Sequence, residues 1–384
     1  MNTQWVEFAN NVKQFYGKDF VPLHEPTFND KEVEYVTDCV KTGWVSSVGA
    51  YVNRFEEDLA KFVGVKRAVA VVNGTAALHI ALKVAGVEEN DEVLMPSLTF
   101  IATANAVSYL KAIPHFVDVN ENTLGVDPVK LDRYLEQLAE MRNGDLYNKE
   151  TNRRIKALVP MHTFGHPCMM DELIEVCKKF NLVLIEDAAE SLGSYYKGKH
   201  TGSFGKVSAI SFNGNKIITT GGGGAILTDD DEIADYAKHL TTTAKIPHKW
   251  EYIHDEVGFN YRMPNINAAL GCAQLEKMIE FIEQKRQLTK IYMDLVQDLD
   301  GVRLFTEPNY SKSNYWLQTL ILDESLNRDE VLSILNENGV MSRPIWQPLH
   351  MLDIYIGCPK MCLSVTELLK QTIINIPSTP FEVK

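Results

Sequence analysis

The chain has 384 residues and a net charge of −13, with 45% hydrophobic and 23% charged residues. That balance supports a sizeable folded core, divided by length into two domains or one large domain with a smaller appendage, and excludes wholesale disorder. Its acidity argues against nucleic acid or an anionic membrane surface as a partner, since neither gains by meeting further negative charge.

No apolar run approaches the roughly 20 residues needed to cross a bilayer. The first eight residues lack a basic stretch followed by an apolar core, so no secretory leader is expected. Six cysteines are scattered along the chain, and only Cys358 and Cys362 lie close together. Reduced thiols in a cytoplasmic protein, with no metal site, are the expectation.

In chain order, Asn29 to Thr42 reads as an amphipathic helix closed at Gly43, followed by a loop from Trp44 to Gly49 and a helix from Tyr51 to Val63 closed at Gly64. A β-branched strand, Ala68 to Val72, runs into Asn73-Gly74-Thr75 and a helix from Ala76 to Ala85. The alternation then repeats. Strands are predicted at Glu92–Met95, Pro114–Asp118, Lys156–Pro160 and Leu182–Asp187, with helices at Thr99–Leu110, Pro128–Met141 and Met169–Phe180. Apolar strands alternating with helices predict an α/β fold with a mostly parallel sheet covered on both faces. Arg142 to Arg153 is polar and without periodicity, and reads as an exposed insertion. Strands at Ser208–Phe212 and Ala225–Thr228 precede one long helix, Ile266 to Leu299, which leads to a strand (Trp316–Leu322) and a helix (Arg328–Asn338) of a smaller α+β domain. The expected division is 1–265 for the large domain with its N-terminal helix and 266–384 for the linking helix and small domain.

Three polar clusters fall at strand ends, where open parallel sheets bind ligands. Asn73-Gly74-Thr75-Ala76 turns from a strand into a helix, which suits a phosphate or, equally, an ordinary N-cap at Thr75. Glu186-Asp187 ends an apolar strand, either as exposed acids or as a buried acid with a cationic partner. Ser211 leads to Lys216, beside the run Gly221–Gly224, whose missing side chains would leave room around the amine for a flat group. Those glycines precede a strand instead of following one, so they are not a dinucleotide fingerprint. An anion cradle, an acid for a ring nitrogen and a nucleophilic amine are what a phosphorylated aldehyde cofactor requires.

With Thr42–Ser47, Asn73–Leu78, Thr99–Ala106, Glu186–Glu190, Ser211-Phe212 with Lys216, and Gly258–Met263, the chain resembles the DegT/DnrJ/StrS sugar aminotransferases from about Pro22 to Pro380. The resemblance implies a fold-type-I enzyme that uses pyridoxal 5′-phosphate, and pyridoxamine phosphate in its half-reaction. Lys216 would take the cofactor's aldehyde and Asp187 would face its pyridine nitrogen. Gly74, Thr75, Ala76 and Ser211 would bind the phosphate, Phe100 would stack on the ring, and Glu190 would lie near the phenolic oxygen. Asn260 would come from the other subunit of a homodimer. Amino donor and acceptor would be L-glutamate and a nucleotide-linked keto sugar. Pro22–Pro26, Trp44–Val48 and 142–153 look most like a branch that aminates C4 of a UDP-linked 4-keto-6-deoxy-N-acetylhexosamine, with GDP- or dTDP-linked sugars of the perosamine type as the alternative. Trp44, Ser46, His162, Trp346 and His350 are the candidate substrate contacts. A sugar dehydratase of this fold is disfavoured, because such relatives replace the lysine with histidine.

Overall fold

A computed structural model of the chain describes residues 2–381. Helices α1 (Asn2–Tyr16), α2 (Asp30–Thr42) and α3 (Ala50–Val63) precede strand β1 (Arg67–Val71) and helix α4 (Gly74–Val84). Gly43 and Gly64 close α2 and α3 in the left-handed conformation, with φ of 76° and 83°. Alternation continues through β2 (Glu92–Pro96), α5 (Ala102–Tyr109), β3 (Ile113–Val117), α6 (Pro128–Leu138), β4 (Ala139–Arg142), β5 (Asp145–Asn148), β6 (Arg154–Leu158), α7 (Met170–Phe180) and β7 (Val183–Asp187). Two short strands, β8 (Tyr195–Tyr196) and β9 (Lys199–His200), lead to β10 (Val207–Ser211), β11 (Gly224–Thr228), α8 (Asp231–Thr241) and the pair β12 (Lys245–Ile246) and β13 (Ile253–His254).

The main sheet runs β1-β11-β10-β7-β6-β2-β3. Its strands from β10 to β3 are parallel, whereas β11 runs antiparallel to both β10 and β1. Every residue of β2 and β11 is buried, which explains why these strands read as continuous apolar runs. The parallel order sends the ends of β2, β6, β7 and β10 to one edge, and the start of α4 joins them there.

The C-terminal layer follows as α9 (Asn265–Glu276), α10 (Met278–Gln297), β14 (Val302–Leu304), β15 (Ser311–Lys312), β16 (Gln318–Leu322), α11 (Arg328–Glu337), β17 (Arg343–Pro344), α12 (Ser364–Thr372) and β18 (Ile373–Ile376). A four-stranded antiparallel sheet, β14-β16-β18-β17, forms its centre. Among the described residues no helix is long and apolar enough to cross a membrane.

Three elements differ from expectation. The single helix predicted over 266–299 is broken at Lys277, whose N–H bonds to Gln274 O three residues back. The break lets α9 lie on α2 and α3 while α10 turns to the C-terminal sheet. The insertion at 142–153 is no loose excursion, because β4 and β5 form a hairpin that pairs with β6. Buried Glu92 holds it down, accepting hydrogen bonds from Asn148 Nδ2 (2.9 Å) and Thr151 Oγ1 (2.5 Å) with His115 Nδ1 2.8 Å away. The buried anchor on the hairpin is an asparagine, so hydropathy could not reveal it.

The third is α1 (Asn2–Tyr16), which lies ahead of the first helix read from the sequence, Asn29 to Thr42. Trp5, Phe8, Ala9 and Val12 are buried with Leu288 and Tyr292 of α10, Val331 and Leu335 of α11, and Ile374 of β18. The chain's start is thus part of the C-terminal core. Phe8 is 2% exposed and stacks on Tyr292, so Phe8→Ala should destabilise the protein by about 3–5 kcal/mol. Chemical denaturation monitored by tryptophan fluorescence measures this, and a loss below about 1 kcal/mol would show that α1 is not docked as described.

Candidate active site

Adjacent strand residues face opposite sides of a sheet, and the last two of β7 divide their work accordingly. Glu186 is fully buried and accepts the N–H groups of Phe204 (2.6 Å), Gly205 (2.7 Å) and Gly202 (2.8 Å), with the hydroxyl of Ser208 at 3.2 Å. His162 Nε2 lies 3.0 Å from it. Burial opposes ionisation, but His162 and these N–H groups outweigh it and hold the carboxyl below its ordinary range. The other nitrogen of His162 accepts the N–H of Cys168. Both ring nitrogens are thereby used, and His162 does not line the cavity expected of it.

Asp187 turns the other way, into a cavity of about 350 Å³. Thr103 Oγ1 donates to it at 2.7 Å and Ala189 N at 3.2 Å. Burial pushes its pKa up against both bonds. Gly74, Thr75, Phe100, Glu190, Ser211, Lys216 and Trp346 line the same cavity, so most of the predicted set meets in one place. Asn73, Thr103, Asn215 and Trp316 join them unforeseen. Thr103 lies within a quoted motif but gives no sign of where it points, and Trp316 comes from the distant C-terminal layer.

At one end, α4 presents its N-terminus. The cap is Asn73, not Thr75: its side chain accepts the N–H of Ala76 at 2.8 Å. Ala76 is therefore satisfied within the helix and is not a free donor, contrary to expectation. The N–H groups of Gly74 and Thr75 have no intrahelical acceptor, as at any helix start, and with Ser211 they form an anion cradle. A side chain on Gly74 would stand 2.7 Å from Ser211 Cβ. The glycine run serves packing instead of leaving room around the amine. A Cβ on Gly224 would meet the carbonyl of Asn73 at 2.5 Å, and none of Gly221–Gly224 lines the cavity.

At the other end, Lys216 Nζ lies 3.1 Å from Glu190 Oε1 and 3.8 Å from the centre of the Trp316 ring. Glu190 Oε2 accepts the N–H of Phe164 at 2.9 Å. Burial raises the Glu190 pKa to about 7, with Lys216 and the Phe164 N–H working against the rise. Phe164 has φ of 55°, a left-handed conformation that costs an L-residue energy. Its ring packs on Trp346 at 5.0 Å and Trp316 at 6.4 Å. Phe100, 50% exposed, offers a ring face to the cavity.

Three predicted contacts lie elsewhere. His350 is buried 2.7 Å from Ser97 Oγ, tying down its own turn. Trp44 and Ser46 are exposed on a loop fixed by Asn265, whose Nδ2 donates to Trp44 O and whose backbone N donates to Ser46 O. Neither lines the cavity. Asn260, expected to serve the other subunit, is exposed, and neighbouring Tyr261 O accepts the N–H of Val72 beside the Asn73 turn.

The cavity suits a flat phosphorylated ring: a cradle for the anion, a buried acid with spare acceptor capacity for a ring nitrogen, an open aromatic face and an amine for an aldehyde. Fold and site together define a pyridoxal-phosphate-dependent aminotransferase of fold type I. Residues 26–381 match the DegT/DnrJ/EryC1/StrS aminotransferase family, and the chain belongs to it. EpsN of Bacillus subtilis strain 168, provisionally named a pyridoxal phosphate-dependent aminotransferase, is 41% identical over 87% of this chain and 83% of its own. GDP-perosamine synthase of Escherichia coli O157:H7 is 38% identical over 94% of each chain. The crystal structure of the aminotransferase TlmJ from Streptoalloteichus hindustanus superposes with a TM-score of 0.84 at 27% identity, over 94% of this chain and 93% of that one. The protein is a sugar aminotransferase of this family.

Two outcomes follow. Gly74→Ala should weaken binding of pyridoxal phosphate roughly tenfold or more, by forcing the cradle apart, with far-UV circular dichroism unchanged; undiminished affinity would remove Gly74 from the cradle. In the cofactor-free protein, Glu190 keeps its proton to about pH 7 while the unfolded chain releases it near 4.5. The folded state binds the extra proton in that window, so stability relative to Glu190→Gln must fall as pH rises from about 4.5 to 7 and then level off. Parallel melting-temperature curves for the two proteins would contradict this.

Proposed function

We propose that the enzyme moves the amino group of L-glutamate to the keto group of a nucleotide-linked sugar, GDP-linked and of the perosamine type. The convergence of Lys216, Asp187 and the Gly74–Thr75–Ser211 cradle in one cavity carries the amine-transfer reading. The GDP-perosamine synthase similarity across nearly the whole chain supports the nucleotide. The UDP-linked reading draws on Pro22–Pro26, Trp44–Val48 and 142–153, and no residue of these segments lines the cavity.

Pyridoxal phosphate, when bound, supplies an aldehyde for the amine and a ring that accepts the electron pair left by a departing proton. The remaining work falls to the chain. Gly74 N, Thr75 N and Ser211 Oγ hold the phosphate with the α4 dipole behind them. Asp187 keeps a proton on the ring nitrogen, its charge favoured there by the cation it faces. Phe100 fixes the ring plane. Lys216 would supply the amine for the cofactor's aldehyde and, when free, the base that takes a proton from the donor's α-carbon. Trp316, Trp346 and Phe164 exclude water from that exchange.

The working unit is a homodimer in which the partner adds Asn260 to the phosphate cradle. Ahead of Asn260, the β12–β13 hairpin exposes Trp250, Tyr252 and Ile253, and Val257 follows it, an apolar surface of the kind that marks interfaces. Light scattering should give twice the chain mass of 43.3 kDa; a monomer at enzyme-assay concentrations would refute the shared cradle.

Borohydride reduction of the holoenzyme should leave the cofactor's mass on the peptide bearing Lys216, and Lys216→Arg should abolish amine transfer. Glutamate-loaded enzyme offered GDP-, UDP- and dTDP-linked 4-keto sugars should yield a GDP-amino sugar by mass spectrometry. Product from the UDP sugar alone would overturn the nucleotide assignment.

A further inference from the structure

Among the described residues, Lys216 is the only cationic side chain lining the cavity. It rests over the Trp316 ring, its Nζ 3.8 Å from the ring centre. An ammonium cannot attack an aldehyde, so the proton needs somewhere to go. Asp187 is engaged by Thr103 and Ala189. The base within hydrogen-bond distance is Glu190.

We propose that Glu190 is the proton acceptor for Lys216, taking the ammonium proton before the lysine bonds to the cofactor and returning it afterwards. This rests on the aminotransferase reading and gives a catalytic role to a carboxylate that sits close to the cofactor's place.

The geometry is built for one donor. Glu190 Oε1 is 3.1 Å from Lys216 Nζ, while Oε2 is fixed by the Phe164 N–H at 2.9 Å, so the carboxylate cannot turn away. Its backbone is held from behind, with Asn314 Nδ2 donating to Glu190 O at 2.9 Å and to Leu192 O at 2.8 Å. Gly165 leaves room for this, since a Cβ there would overlap Asn314. The strained conformation of Phe164 delivers the N–H that aims the acid.

The charged groups acting on Glu190 are Lys216 and Asp187. The His24 imidazole is buried without partners and kept neutral by burial, Lys285 and Lys216, so it adds no charge. A carboxyl group poised near neutrality in this setting can hold or release a proton at working pH.

The step balances. An N–H bond of the ammonium breaks as an O–H bond forms on Glu190, leaving a neutral amine. The C=N bond to the aldehyde carbon then forms and its C=O bond breaks. The amine's two hydrogens leave with that oxygen as water, and the proton on Glu190 passes to the new nitrogen.

The test is the rate at which cofactor-free protein captures pyridoxal phosphate on Lys216, trapped by borohydride and read by mass across pH 5.5–9. Glu190→Gln should capture about 10²-fold more slowly near pH 7 and lose the rise through neutrality. Glu190→Asp should be intermediate and keep the rise. Binding of 4-deoxypyridoxine 5′-phosphate, which has ring, hydroxyl and phosphate but no aldehyde, should fall at least tenfold less than capture does in Glu190→Gln. Capture by Glu190→Gln at the wild-type rate would overturn the proposal, as would an equal loss of analogue binding, which would mark a merely structural role. If wild-type protein captures nothing on Lys216, the aminotransferase reading falls with it; if it captures normally and Glu190→Gln does the same, only this inference falls.

Discussion

A carboxylate withdrawn from water must be given hydrogen-bond donors or a cation in exchange, or it will not stay charged. The end of β7 withdraws three within five residues: Glu186, Asp187 and Glu190 are 0%, 3% and 3% exposed. Each meets the requirement differently. Glu186 is surrounded by donors, and the 202–205 turn and His162 are fixed as a result. Asp187 receives one hydroxyl and one N–H, which leaves it acceptor capacity facing the cavity. Glu190 depends on a single N–H and on Lys216. Structural anchoring sits where satisfaction is complete, and chemistry sits where it is not.

Sheet register brings the remaining parts to the same level. In the antiparallel ladder, Gly224 of β11 is opposite Val71 of β1 on one side and Ser211 of β10 on the other. The turn leaving β1 and the end of β10 are therefore neighbours across one residue, and that residue must lack a side chain because Asn73 passes over it. Parallel pairing of β10 with β7 sets Ala209 beside Asp187. Anion cradle, acid and lysine are consequences of two pairing registers, with the C-terminal layer adding Trp316 and Trp346 as the wall.

This explains which parts of the molecule were legible in the sequence. Buried parallel strands are uniformly apolar and glycine-capped helices end in a fixed way, so the alternation from Asn29 to Asp187 could be read directly. Lys216, Asp187 and the Gly74 turn stood out because polar residues at the ends of such strands are conspicuous. The cap fell on Asn73 and not Thr75, and Ala76 left the cradle, because each is compatible with a helix start and only the bond from Ala76 N decides. His162 and His350 were misplaced because a histidine satisfied by Glu186 or Ser97 looks no different in sequence from one awaiting a ligand. The Glu92-centred hairpin and the Lys277 break leave no hydropathy signature, since one is anchored through polar groups and the other lies within an otherwise helical stretch.

Size explains why the acceptor's nucleotide is the least legible feature. At about 350 Å³ the cavity is near the lower bound for ligand sites, and a phosphorylated ring with the reacting end of a sugar fills it. The walls of that space include Phe100, Trp316 and Trp346. Recognition of a group too large for the cavity falls to exposed side chains at its rim, such as Phe100 at 50% exposure. Residues of that kind follow no burial pattern and make few contacts within the chain. Their identity is constrained by the ligand and not by folding, so similarity to enzymes of named substrate says more about the base than the cavity does.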